Sequence, residues 1–180
     1  HQMPRSPDPL CYADPSMAAN NPGLPRFSPV LGEVGTKLPD SLMLTGFWYR
    51  ALPSDQVGRG TLHKAMLLEI PLVIGRDSDG RAFALQDACP HRGMPLHCGQ
   101  FDGRQVECGY HGWKFDAQTG QCRVIPSLTA DQNLKIDRIY AGNFACEERD
   151  SFIWVFVPDP APVGAGFTRR EEPAFAVPQL

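Results

Sequence analysis

Residues 89–115 read CPHRGMPLHCGQFDGRQVECGYHGWKF, and the fold of the chain turns on this stretch. It holds two segments of matched make-up, Cys89-Pro90-His91-Arg92-Gly93-Met94-Pro95-Leu96 and Cys108-Gly109-Tyr110-His111-Gly112-Trp113-Lys114-Phe115. Sixteen residues separate His91 from Cys108. Each segment offers one thiolate and one imidazole, ligands suited to zinc and to iron–sulfur centres. A structural zinc site usually places two thiolates first and two imidazoles after them, as in C-x₂₋₄-C…H-x₃₋₅-H. In this chain each segment mixes the two types, so cluster ligation outranks zinc.

Six cysteines occur in all: Cys11, Cys89, Cys98, Cys108, Cys122 and Cys146. In a small secreted chain an even count would suggest a disulfide framework. Two of the six stand two or three residues before a histidine, which favours ligation instead. The other four read most simply as free thiols, with Cys122 and Cys146 in strand-like sequence. Of the remaining histidines, His97 suits a place beside the ligands or in solvent, and His63 that of a polar strand residue.

Around this stretch, short apolar runs alternate with turn residues. The runs are 47–52, 65–69, 72–75, 82–85, 105–107, 113–115, 122–125, 135–140, 144–147 and 152–157. Asp77-Ser78-Asp79-Gly80 marks a hairpin between two of them, with Gly free to take positive φ. Many short strands with Gly, Asp and Asn between them indicate an all-β antiparallel sandwich or barrel. No segment holds ten residues of convincing helical period. Residues 1–42 are Pro-rich without periodicity and read as an extended N-terminal arm. Residues 43–158 form the domain, and 159–180 return to Pro-rich sequence as a linker or tail.

Lys and Arg number 17 against 20 for Asp and Glu, a net charge of −3. That mild balance disfavours nucleic-acid and membrane-surface partners. Neither a membrane-spanning apolar run nor a secretory signal is visible, so a soluble, cytoplasmic protein is expected.

The two segments resemble the Rieske family, whose Cys-x-His…Cys-x-x-His pattern they match in full. The resemblance implies a Rieske-type fold with a small cluster-binding subdomain formed by two loops. It also implies a [2Fe–2S] cluster, with Cys89 and Cys108 on one iron and His91 and His111 on the outer one. Replacing two thiolates by neutral imidazoles raises the potential to about −150 to +300 mV. Gly93, Gly109 and Gly112 are expected to bring their N–H groups up to the sulfurs, and Pro90 and Pro95 to stiffen the loops.

Respiratory and photosynthetic members carry an extra cysteine in each loop, where this chain has Met94 and Tyr110. They also carry a membrane anchor, which is not seen here. The sequence is more similar to the N-terminal domain of Rieske non-haem iron (aromatic-ring-hydroxylating) oxygenase α-subunits. Cys89-Pro90-His91-Arg92-Gly93, Tyr110-His111-Gly112-Trp113-Lys114-Phe115, Gly46-Phe47-Trp48-Tyr49 and the run 152–158 carry that likeness. It implies a reductase or ferredoxin as electron donor. The acceptor would be a mononuclear iron in an oxygenase catalytic domain or a neighbouring subunit, held by two histidines and one carboxylate. No histidine follows His111, so this chain alone lacks that site and no catalytic residue is assigned. Whether it is an enzyme component or a free-standing Rieske ferredoxin therefore stays open. The Pro-rich flanks count against the ferredoxin, and the presence of all four ligands counts against a degenerate domain without a cluster.

Overall fold

The computed structural model describes residues 45–129, 131–159 and 174–175. The proposed arm at 1–42 and nearly all of the tail at 159–180 lie outside these residues. Eleven strands and three 3₁₀ turns make up the regular structure among them, so the all-β expectation holds.

The strands form three antiparallel sheets. The first is ordered β1 (Phe47–Pro53), β11 (Phe152–Val157), β10 (Cys146–Arg149). The second runs β2 (Leu62–Leu67), β3 (Ile70–Arg76), β4 (Ala82–Gln86), β9 (Asn143–Phe144). The third runs β5 (Gln100–Phe101), β6 (Gln105–Glu107), β7 (Lys114–Asp116), β8 (Cys122–Val124).

β3 is apolar from Ile70 to Gly75 because both of its faces are covered. Leu72 and Ile74 join Ala84, Ile153 and Val155 in one core, against the first sheet. Val73, Phe83 and Leu85 point the other way and join Leu96, Val106 and Phe115, against the third. Successive side chains of a strand face opposite sides, so the second sheet serves as the shared middle layer. The third sheet is also tied to it by polar contacts. The amide of Gln118 donates to buried Asp77 at 2.9 Å, and Ser78 N–H donates to the Gly103 carbonyl at 2.9 Å.

Three strand expectations need correction, the first being the run 65–69, whose strand ends at Leu67 because Leu68 and Glu69 form the turn into β3. Residues 135–140 form a 3₁₀ turn at Ile136–Arg138, with Tyr140 in an isolated bridge to Gln121. The apolar pair that suggested a strand, Ile136 and Ile139, is spaced by three and packs on one core, which suits a tight turn. The run 144–147 breaks in two, because the chain leaves the second sheet at Phe144 and joins the first at Cys146. The hairpin at Asp77–Gly80 forms as read, with Gly80 at φ +88°.

Two further hairpins carry no glycine signal. Leu68 and Glu69 take φ of 47° and 63° at the β2–β3 turn, and Asp150 and Ser151 take 52° and 65° at the β10–β11 turn. Positive φ at both central positions marks the type I′ two-residue hairpin, and it costs an L-residue about 1 kcal/mol. Glu69→Gly is therefore expected to raise stability by about 0.5–1 kcal/mol, read as a higher urea midpoint at unchanged slope.

Arg76, at the end of β3, joins three segments. Its guanidinium donates to the carbonyls of Val57 at 3.0 Å and Gly80 at 2.8 Å, and pairs with both carboxylate oxygens of Glu148 at 2.6 and 3.1 Å. Arg76→Met leaves three carbonyls, that of Ser54 included, and a carboxylate without this donor, and should cost about 2–3 kcal/mol in urea unfolding.

Candidate metal centre

The two cluster loops are built alike. In the first, Cys89 N–H donates to the Met94 carbonyl at 2.8 Å, and Gly93 N–H donates to the Cys89 carbonyl at 2.7 Å. In the second, Cys108 N–H donates to Trp113 at 2.8 Å, and Gly112 N–H donates to Cys108 at 3.0 Å. Gly93 and Gly112 occupy equivalent places at φ +71° and +69°, where a side chain would be strained. The sequence expectation that glycine amides face the sulfurs is thus corrected for Gly93 and Gly112, whose N–H groups close the loops instead. The backbone N–H groups of His91 and Arg92 favour a thiolate at Cys89, and those of Tyr110 and His111 do so at Cys108. Gly109 serves close packing: a Cβ there would lie 3.3 Å from the Cys98 carbonyl oxygen.

Cys89 and Cys108 are buried, at 2% and 3% exposure, and their thiols hydrogen-bond to each other. The Cys89 hydrogen bond and the two amides bring the Cys108 thiol below its ordinary pKa. The Cys89 proton, shared with that thiolate and buried, is held above it. His91 and His111 are exposed, with ring centroids 4.7 Å apart. Partial desolvation, with His111 and Arg92 nearby, pushes the His91 imidazole down toward the neutral form that ligates metal. Trp113 of the second loop stacks on His91 of the first, with centroids 4.6 Å apart and planes 2° apart. Tyr110 lies against His111 at 3.7 Å.

The four predicted ligands therefore come together as a buried thiol pair and an exposed imidazole pair. Among the described residues no three His, Cys, Asp or Glu side chains form a group that could hold one metal ion. A buried pair of cysteines and an exposed pair of histidines, separated in this way, suit a binuclear centre better than a single metal ion.

The other candidates fall elsewhere. His63 lies on β2, where its Nε2 is 2.8 Å from Thr61 Oγ1. His97 pairs with buried Asp87. Cys122 and Cys146 are free as expected, whereas Cys98, read as a free thiol, is disulfide-bonded. Cys11 lies outside the described residues. Sequence reasoning missed Asp87, and its place two residues before Cys89 was the one available signal. Trp113, expected only within the strand run 113–115, lies just before β7 and stacks on His91, a contact that no local pattern marks.

A family model described as the Rieske [2Fe–2S] domain matches residues 47–141. Chlorophyllide a oxygenase of Chlamydomonas reinhardtii is 37% identical over 119 residues, 66% of this chain and 18% of that protein. The iron–sulfur subunit of the toluene-4-sulfonate monooxygenase system of Comamonas testosteroni is 33% identical over 121 residues, 67% of this chain and 33% of the subunit. Among solved structures, dicamba monooxygenase bound to dicamba aligns with a TM-score of 0.56 at 33% identity, covering 67% of this chain and 37% of that one. The chain thus spans between 18% and 37% of the length of these relatives.

Proposed function

The chain belongs to the Rieske [2Fe–2S] family, and from that premise we propose that it relays single electrons within a non-haem iron oxygenase. Cys89, His91, Cys108 and His111 hold the cluster in this reading. When bound, a Rieske-type cluster supplies reversible one-electron transfer. The observation that carries the proposal is the division of the loops into buried thiols and exposed imidazoles.

Each residue then has a physical task. Cys89 and Cys108, once deprotonated, present two anionic sulfurs in a site closed to water. The amides of His91, Arg92, Tyr110 and His111 offset that charge and favour the reduced state. His91 and His111 bring the imidazole edges to the surface, where a partner can approach. Trp113 covers one face of the His91 ring, and Tyr110 lies beside His111. Pro90 and Arg92 lie exposed next to His91 and complete a small mixed patch suited to transient docking.

A reductase or ferredoxin is proposed as donor, and a mononuclear iron outside these 180 residues as acceptor. The oxygenase relatives, each far longer than this chain, support that placement.

Visible absorption, EPR and metal analysis of anaerobically purified protein test the reading. The chain should take up one electron equivalent from dithionite and then show a Rieske-type rhombic signal. One zinc per chain, or a reduced chain silent in EPR, would overturn it. Electron delivery to an isolated oxygenase catalytic domain would separate the relay from a ferredoxin role.

A further inference from the structure

Asp87 lies two residues before Cys89 and is 5% exposed. A carboxylate so buried is costly unless its oxygens accept hydrogen bonds. Oδ1 accepts the backbone N–H of His97 at 2.8 Å, and Oδ2 lies 2.5 Å from Nδ1 of the same residue's ring. The backbone N–H of Asp87 donates to the Pro71 carbonyl on β3 at 2.9 Å, which fixes Asp87 to the middle sheet. These bonds close a second ring around the first ligand loop, outside the one formed by Cys89, Gly93 and Met94.

Directly after His97 comes the contact with the other loop. A Cβ on Gly99 would lie 1.9 Å from the carbonyl oxygen of Glu107, the residue before Cys108. A Cβ on Gly109 would lie 3.3 Å from the Cys98 carbonyl oxygen. The backbone at 98–99 therefore touches the second loop, directly after the turn at Leu96–Cys98.

We propose that Asp87 and His97 are a positioning pair that holds the two ligand loops at the spacing the cluster requires. The proposal rests on the ligand assignment above. It adds that loop spacing is maintained from outside the ligand set, by one carboxylate gripping both the backbone and the ring of His97. Without that grip the His97 end of the first loop keeps only the buried Leu96 and the disulfide-bonded Cys98 beside it, and the loop opens more readily. The amides of His91 and Arg92 would then cease to support the Cys89 sulfur, and the cluster would be lost through local opening.

The full chain carrying Asp87→Asn, Asp87→Ala or His97→Ala provides the test, read by EPR line shape, midpoint potential and cluster lifetime in bathophenanthroline. Asparagine keeps an oxygen for the His97 N–H in the same volume. Asp87→Asn should retain the parent line shape and a lifetime within about threefold. Its potential should rise as a negative charge is removed. Asp87→Ala should shorten the lifetime about ten- to a hundredfold, alter the line shape and lie below the Asn variant in potential. His97→Ala retains the backbone bond and should fall between the two, which keeps the test alive if Asp87→Ala does not fold. Parent-like lifetime and line shape in the Ala variants, with only thermal stability reduced, would overturn the proposal. So would Asn and Ala variants that cannot be distinguished. A parent chain with no Rieske signal is a separate result, which sinks the ligand assignment itself.

Discussion

Chains carrying His91→Ala or His111→Ala are expected to fold normally and to show no Rieske-type EPR signal on reduction. Both imidazoles are exposed, so neither contributes to the two apolar cores, and truncation costs little packing. The loss falls on ligation. Each iron of a binuclear cluster takes only two protein ligands, and removing one opens a coordination position to water and chelators. The expected result is near-complete loss of reducible cluster with an unfolding midpoint close to that of the cluster-free parent. Cys89→Ala and Cys108→Ala should lose the cluster too, with an added stability cost because both cysteines are buried in the core beside Leu96 and Phe115. Parent-like spectra from either histidine variant would show that another residue completes the site.

Gly99→Ala should be the most disruptive single methyl group among the described glycines near the site. The added Cβ would lie 1.9 Å from the Glu107 carbonyl oxygen and 3.1 Å from that of Leu96. Backbone oxygens cannot rotate away as a flexible side chain can, so either β5 and β6 separate or the Leu96–Cys98 turn unwinds. Gln100 pairs with Glu107 across these strands, and Cys108 follows immediately. A cost of about 3–5 kcal/mol is expected, with loss of cluster, read by urea unfolding and visible absorption. Gly58→Ala is the control: its nearest neighbour is Thr61 Oγ1 at an ordinary 3.7 Å, and it should change stability by less than about 0.5 kcal/mol. Equal effects from the two substitutions would remove the steric explanation.

Much of the fold could be read because strand formation leaves local marks. The runs 47–52, 72–75, 82–85 and 152–157 all lie within strands, since apolar residues spaced for a pleated surface are visible in order along the chain. Lys135–Tyr140 misled for the same reason: its isoleucines look like strand residues until a spacing of three is packed against one core. The Leu68–Glu69 hairpin carries no glycine because pairing along β2 and β3 overrides the preference of the turn itself.

Ligand chemistry belongs to the residue type, and so Cys89, His91, Cys108 and His111 could be singled out from the order of residues alone. Short apolar runs separated by turn residues, a local property, likewise marked the domain as all-β. Which amides support the sulfurs, why Trp113 lies flat on His91, and why Asp87 grips His97 were decided by the folded chain. Each of these depends on how two loops, 16 residues apart, are held against one middle sheet. That distance is set by long-range packing, for which linear order carries no mark.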